Sequence, residues 1–298
     1  MILVVGATGL LGSELVRRLR VAGHTVRALA RQTSNPARLE SVRQTGAEVV
    51  YGDLKDAGSL RSALAGIEDV ITTASSTLSR QPGDSIATVD REGYFTLIDC
   101  ARAAGVRRFI YTSIPQKIKF ESPLSRAKQE VAEYLGSSGM DHTVLAANYF
   151  MEVWLSPILG FDPENARATV YGAGDQPIGF VSYKNVAEIA ARSLEVKASR
   201  NRTIPVGGPT NPTALEVVQI FETLSGRKFS VEHIAAEALE EKRRSAQNPL
   251  DESFAALMLD YASGCPMDMR ETLSMFPIQL TSVRDYANSV LQLESARA

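Results

Sequence analysis

Glycines at positions 6, 9 and 12 follow directly on the short apolar run Ile2–Val5 and precede Leu11, Leu15, Val16 and Leu19, which recur at helical spacing. A strand that runs through a glycine-rich turn into a helix leaves few folds open. Glycine permits the tight turn, lets backbone approach a pyrophosphate, and lets the helix pack close on the strand. The spacing is G-x-x-G-x-x-G rather than G-x-G-x-x-G, so its meaning rests on its place at the head of a β-α-β pattern. Gly6, Thr8, Gly9, Leu10, Leu11 and Gly12 are read as the phosphate-binding turn of a nicotinamide dinucleotide site.

The pattern continues in the same alternation. Strands are expected near 24–30, 47–51, 69–73, 108–112 and 142–146, with helices near 36–45, 57–65, 85–104 and 123–135. Near-continuous apolar strands separated by amphipathic helices indicate a parallel sheet covered on both faces. Right-handed crossovers then make a doubly wound α/β Rossmann sheet the economical topology. The expected division is a dinucleotide-binding domain over 1–150 and a smaller α/β substrate lobe over 151–298, with segments around 180–206 returning to the first domain. In the second half, strands are expected at 168–171, 178–181 and 203–206, and helices at 184–195, 213–225 and 235–247. Asn248-Pro249 reads as turn punctuation.

Ligands in such sheets sit at the carboxyl ends of the strands. An acidic residue after the second strand would bind a ribose 2′-hydroxyl and favour NAD; Arg31 stands there instead and favours the 2′-phosphate of NADP(H), with Arg38 a second candidate cation. A solvated surface arginine is the bland alternative. Asp53 and Leu54 follow the third strand, where a carboxylate can accept from the adenine amino group. Thr73, Ala74 and Ser75 follow the fourth, beside the expected pyrophosphate and nicotinamide ribose.

Composition removes several classes. A net charge of -2 gives no support for nucleic acid as partner, and no apolar stretch is long enough to span a bilayer. Cys100 and Cys265 cannot make a disulfide framework, which suits a reducing compartment, and no secretory signal pattern opens the chain; the expected address is the cytoplasm. His24, His142 and His233 have no metal-ligand spacing, and no metal is expected. The sequence leaves the oligomeric state open.

Several stretches together resemble the NmrA-like family of atypical short-chain dehydrogenases/reductases. They are Gly6-Ala7-Thr8-Gly9-Leu10-Leu11-Gly12, Val26-Arg27-Ala28-Leu29-Ala30-Arg31, Gly52-Asp53-Leu54, Ala104-Gly105-Val106-Arg107-Arg108-Phe109, Asn148-Tyr149-Phe150-Met151-Glu152 and Tyr183-Lys184-Asn185-Val186-Ala187. The likeness covers about residues 1–231, and Asn185 stands where that family usually has an acid. The resemblance implies an NAD(P)-binding reductase or a regulatory relative of one. Short-chain reductases commonly carry tyrosine four residues before lysine on one helix. The lysine matches as Lys128, but Leu124 replaces the tyrosine. Ser113 falls at the relatives' serine position; a plain strand-end serine is the alternative.

Lys128 is notable without the family. It shares a helix face with Leu124, Val131 and Leu135, and a lysine on an inward stripe needs a partner unless it snorkels outward. A cofactor ribose or substrate oxygen would supply one. Asn148, Tyr149, Phe150 and Trp154 are read as a wall of a substrate pocket, or else as core of the second lobe. A pocket so lined suits a small aromatic or quinone-like molecule. The leading expectation is an NADPH-dependent oxidoreductase passing hydride to an aromatic, quinone-like or enone acceptor. A non-catalytic NADP(H) sensor is the alternative, and a scaffold without cofactor affinity the third.

Overall fold

The computed structural model, which describes residues 1–78, 81–116 and 118–295, turns the early apolar runs into strands and the stripes between them into helices. In chain order these are β1 (Ile2–Val5), α1 (Leu10–Val21), β2 (Val26–Ala30), α2 (Pro36–Gln44), β3 (Glu48–Tyr51), α3 (Ala57–Leu64) and β4 (Asp69–Thr72). A π-helical segment (Ile86–Arg91) then leads into α4 (Glu92–Ala103), β5 (Arg108–Ser113), α5 (Pro123–Gly136) and β6 (Asp141–Ala147). There follow α6 (Met151–Trp154), β7 (Phe161–Asp162), β8 (Arg167–Tyr171), α7 (Tyr183–Arg192) and β9 (Arg202–Val206). The last elements are α8 (Ala214–Ser225), β10 (Ser230–Ile234), α9 (Ala236–Arg244), α10 (Pro249–Ala262), α11 (Arg270–Met275) and α12 (Val283–Ser295).

The main sheet has seven strands in the order β3-β2-β1-β4-β5-β6-β9. The pairs from β3 through β6 are parallel. The chain reverses direction of winding between β1 and β4, the switch point at which ligands of doubly wound sheets bind. Alternation of the strands sends Leu3, Val5, Val70, Phe109 and Tyr111 into one buried cluster with Leu60 and Leu64 of α3, Leu97 and Ile98 of α4, and Val131 and Leu135 of α5. Burying each such aliphatic or aromatic side chain contributes about 1.5–3 kcal/mol, and Val4, Leu15, Leu19, Ile71 and Ile110, outside this cluster, are buried as fully.

The chain divides into two compact units: Met1–Ile114 with Pro123–Ala146 and Val186–Ile204, and Pro115–Ser122 with Ala147–Asn185 and Pro205–Ala298. The second contains a three-stranded sheet, β10-β8-β7, in which β8 pairs parallel with β10 and antiparallel with β7. Its own core gathers Tyr149, Trp154, Phe161, Phe180, Phe221 and Tyr261 among others.

Three local expectations change. The helix expected over 85–104 starts as a π-helix, entered through a capping box in which the Ser85 and Thr88 side chains and backbone amides bond reciprocally. Residues 178–181 form no strand: Ile178 bridges to Cys265 and Val181 to Phe150, so two partners replace one ladder. Asn248-Pro249 begins a helix instead of ending one. Asn248 accepts from the amides of Leu250 and Asp251, and Pro249 takes the first helical position, where its missing N–H costs nothing.

Candidate functional site

At the carboxyl end of β1 the backbone leaves no room for side chains. Gly6 has φ +83°, and a Cβ on it would lie 2.8 Å from Thr73 Oγ1 and 2.9 Å from Ala74 N. A Cβ on Gly12 would lie 2.1 Å from Gly6 O, so α1 can approach the turn this closely only through glycine. Gly9 differs. It is the N-cap of α1 in extended backbone without a side-chain cap, and a Cβ there would meet only Gly6 O, at 3.2 Å. The first amides of α1 thus point out of a turn built from Gly6, Ala7, Thr8 and Gly9, next to Thr73 and Ala74 of the neighbouring strand end. Helix N-termini of this kind hold phosphate through free N–H groups and the helix dipole. Leu10 is partly exposed at the turn and Leu11 is buried beneath it.

Past β2 the polar groups gather around a carboxylate. Arg31 Nη1 donates to Asp84 Oδ2 at 2.6 Å, Lys55 Nζ donates to Asp84 Oδ1, and the Gln81 amide donates to Asp84 Oδ2 at 2.8 Å. The Asp84 side chain is 1% exposed. Burial alone would raise its pKa, but the bonds from Lys55, the Gln81 amide and Arg31 outweigh it and hold the carboxyl below its ordinary value. The Arg31 amide donates to Ser34 Oγ at 3.0 Å, and that hydroxyl lies 3.4 Å from Thr8 Oγ1 in the glycine turn. Asp53 Oδ2 lies 3.8 Å from Lys55 Nζ, and Asp53 Oδ1 accepts the Lys55 amide. Lys55, rather than Arg38, shares a carboxylate with Arg31; the Arg38 amide is occupied by the N-cap Asn35.

Past β4 lies a second buried charge pair. Lys128 of α5 is 6% exposed, and its Nζ stands 3.8 Å from Asp90 Oδ1. Asp90 sits on the π-helix with no exposed surface, accepting from Ser75 Oγ at 2.6 Å, Ser76 N at 3.0 Å and Ser76 Oγ at 2.5 Å. Its carboxylate is therefore fixed by the β4 end, and Lys128 is drawn to it at ion-pair rather than hydrogen-bond length. The ammonium keeps donors to offer a further acceptor. The Lys128 Nζ also lies 5.5 Å from the Tyr111 ring centroid. Tyr94 donates to Ala74 O at 2.6 Å and accepts from Thr72 at 3.0 Å, and burial raises the pKa of both tyrosines.

The glycine turn, Arg31, Asp53, Thr73–Ser75 and Lys128 all lie in the first unit, at carboxyl ends of strands or on helices beside them. Leu54 is buried. Ser113 is buried at the end of β5. The Ser75 hydroxyl is spent on Asp90 and Thr77, so in this arrangement its bond is to protein. Leu124, where a tyrosine would stand in the relatives, is buried as well.

Asn148, Tyr149, Phe150 and Trp154 belong to the second unit. The Trp154 ring stacks on Tyr261 at 4.6 Å and 7° between planes, while Tyr149 meets Trp154 edge-on at 4.6 Å. Asn148 Nδ2 donates to Cys265 O at 2.8 Å, and its buried Oδ1 has no hydrogen-bond partner among the described residues. Asn185 donates to Gln279 O and accepts the Thr281 amide, a structural tie in place of the family's acid. Sequence reasoning passed over Asp84, Lys55 and Asp90. Asp90 was visible in principle: Ile86, Asp90, Tyr94 and Leu97 share one helical face, so an acid there breaks an apolar stripe as Lys128 breaks its own.

Among the described residues no cluster of His, Cys, Asp or Glu could hold a metal, and no helix is long and apolar enough to cross a membrane. A model of the NmrA-like family matches residues 1–270. Photosystem II assembly factor Ycf39 of Cyanophora paradoxa is 30% identical over 94% of this chain and 88% of its own length. The (4-alkanoyl-5-oxo-2,5-dihydrofuran-3-yl)methyl phosphate reductase of Streptomyces griseus is 32% identical over 80% of this chain and 78% of its length. The structure of NADPH-dependent quinone oxidoreductase QOR2 with NADPH, from Escherichia coli, superposes with TM-score 0.78 at 22% identity, covering 98% of this chain and 100% of that one. That last likeness is one of fold.

Proposed function

Because the chain belongs to the NmrA-like family, we propose that it is an NADPH-dependent oxidoreductase acting on an aromatic, quinone-like or enone acceptor. The single observation that carries the catalytic reading is Lys128, a nearly buried cation held 3.8 Å from a fully buried carboxylate at the strand ends. A lysine kept in that setting pays desolvation that a leucine would avoid, and an oxygen ligand gives the reason for keeping it.

The residues fit the cofactor. Cβ atoms at Gly6 and Gly12 would collide with neighbouring backbone, which suits the turn to close approach by a phosphate, and Arg31 with Lys55 provides paired cations one short loop away. Bound there, NADPH would supply the hydride. The protein's share is orientation and electrostatics. The α1 N-terminus and the turn take the pyrophosphate, and Arg31 takes the 2′-phosphate. Asp53 is assigned to the adenine. Thr73, Ala74 and Ser75 are assigned to the pyrophosphate and nicotinamide ribose, Ser113 to orienting substrate or cofactor, and Lys128 to donating to a ribose or substrate oxygen. Preorganised donors of this type stabilise charge developing on the acceptor oxygen.

Leu124 offers no proton, so acceptors that take hydride without a strong side-chain acid are favoured, quinones and conjugated carbonyls among them. The named substrate of the Streptomyces relative, a ring alkene conjugated to carbonyls, is of that class, and the Escherichia coli neighbour is named for quinones. Asn148 and the aromatic residues Tyr149, Phe150 and Trp154 are proposed as substrate-pocket residues of the second unit.

Leu124 also favours a second reading, a non-catalytic NADP(H)-sensing protein, and the Cyanophora relative is named as an assembly factor. NADPH oxidation against quinones, enones and aldehydes, with NADPH binding titrated separately, decides between them. Turnover of any class supports the enzyme. Tight binding with no turnover across the panel overturns it in favour of the sensor.

A further inference from the structure

We propose that Asp84 is a built-in competitor of the cofactor's 2′-phosphate and sets how strongly this chain prefers NADPH over NADH, an inference that rests on the cofactor reading above. Its carboxylate takes the two cations beside the glycine turn. Arg31 Nη1 reaches Oδ2 at 2.6 Å, Lys55 Nζ reaches Oδ1, and the Gln81 amide holds Oδ2 at 2.8 Å. A carboxylate and a phosphate ask for the same partners in the same way, through charge-assisted bonds from guanidinium and ammonium.

Charge balance makes the competition definite. Among the described residues, Arg31 and Lys55 contribute two positive charges and Asp84 and Asp53 two negative ones, so these four groups balance. A phosphate monoester adds about -1.5 to -2 at neutral pH. With both carboxylates in place these four groups offer that charge no surplus of cation. Asp84 must therefore leave Arg31 and Lys55 when a 2′-phosphate arrives, and the cost of releasing it is subtracted from NADPH affinity alone. The 2′-hydroxyl of NADH makes no such demand, so it binds with Asp84 at rest. Asp84 can leave without unwinding the helix behind it, because the Ser85–Thr88 capping box fixes the start of the π-helix independently.

The test uses the full chain and calorimetric titration with 2′,5′-ADP, which carries the 2′-phosphate, and 5′-AMP, which lacks it. Asp84→Asn is expected to bind 2′,5′-ADP about tenfold tighter than wild type, with 5′-AMP within about twofold. Lys55→Met is expected to weaken 2′,5′-ADP by about tenfold and leave 5′-AMP unchanged. Asp84→Ser, which keeps an acceptor for the Gln81 amide, repeats the first arm should the asparagine disturb the turn. A wild type that prefers 2′,5′-ADP, with Asp84 variants no tighter, overturns the role of Asp84 alone. Weaker 5′-AMP in those variants overturns it too, since that result makes Asp84 a ribose ligand. Equal binding of the two nucleotides by wild type and by every variant sinks the NADP reading together with this proposal.

Discussion

Lys128→Met is the perturbation that separates a working lysine from a structural one. At 3.8 Å and an effective dielectric constant of about 20, its attraction to Asp90 is about 4 kcal/mol before desolvation is counted. Removing one partner of a buried pair costs about 3–5 kcal/mol, because the other charge is left in place. Asp90 keeps its bonds from Ser75 and from the amide and hydroxyl of Ser76, so the lower end applies, about 3 kcal/mol. Methionine preserves most of the packing against Tyr111 and the α5 stripe. Urea denaturation of wild type, Lys128→Met, Asp90→Asn and the double variant then gives a coupling energy of about 1–3 kcal/mol. Turnover on an established acceptor should fall about 10²-fold or more, the scale of lost electrostatic or proton-transfer help. NADPH affinity should weaken less, since the glycine turn and Arg31 remain. Full turnover in Lys128→Met would refute the catalytic assignment. A variant more stable than wild type, with no coupling to Asp90, would refute the electrostatic reasoning as well.

Other substitutions probe the rest of the site. Gly9→Val should keep its fold, because a Cβ there approaches only Gly6 O, yet lose NADPH binding in titration; unchanged affinity would put the phosphates elsewhere. Gly12→Ala forces a Cβ to 2.1 Å from Gly6 O and should lower stability by about 3 kcal/mol, read from the denaturation midpoint. Arg31→Asp should cost NADPH about 1–3 kcal/mol of binding and turn preference toward NADH, and equal wild-type affinity for both nucleotides would defeat the argument. Arg108 serves as the control far from chemistry. It is buried at the start of β5, donating to Thr143 Oγ1, Ser193 O and Ser199 Oγ, so Arg108→Met should cost about 2–4 kcal/mol in stability with NADPH affinity unchanged in the folded protein.

What the sequence displayed and what it hid follow from the physics of each signal. The doubly wound sheet was legible because each strand is a short apolar run and each helix an apolar stripe, two periods that do not imitate one another. The glycine turn was legible because backbone crowding admits one residue type at Gly6 and Gly12. Lys128 stood out as a charge on an inward stripe. Residues 178–181 misled because the apolar run is real while its partners are not one strand but Cys265 and Phe150. Asn248-Pro249 is ambiguous by nature: the same pair suits a turn and a helix start. Lys55 and Asp84 lie in polar loop sequence 29 residues apart, and no periodicity marks two loop residues that fold together.

The two charge clusters at the strand ends share one origin. Asp84 and Asp90 lie on the same short stretch, the turn that opens at Gln81 and the π-helix that follows it. The first carboxylate meets cations from the ends of β2 and β3, and the second meets Lys128 from α5. A π-helical turn carries an extra residue, which shifts the face its side chains present relative to an α-helix. Here that face carries Asp90 down to Ser75, Ser76 and Lys128, while α4 continues with its apolar stripe on the sheet. On the proposed reading, this segment sets the counter-charge for both ends of the site, and the π-helix within it serves Asp90. Deleting one residue from it should therefore disturb Lys128 before it disturbs the core, seen as turnover lost with stability lowered by no more than about 3 kcal/mol, the cost of the broken pair. A protein that instead unfolds on that deletion would mark the π-turn as packing alone.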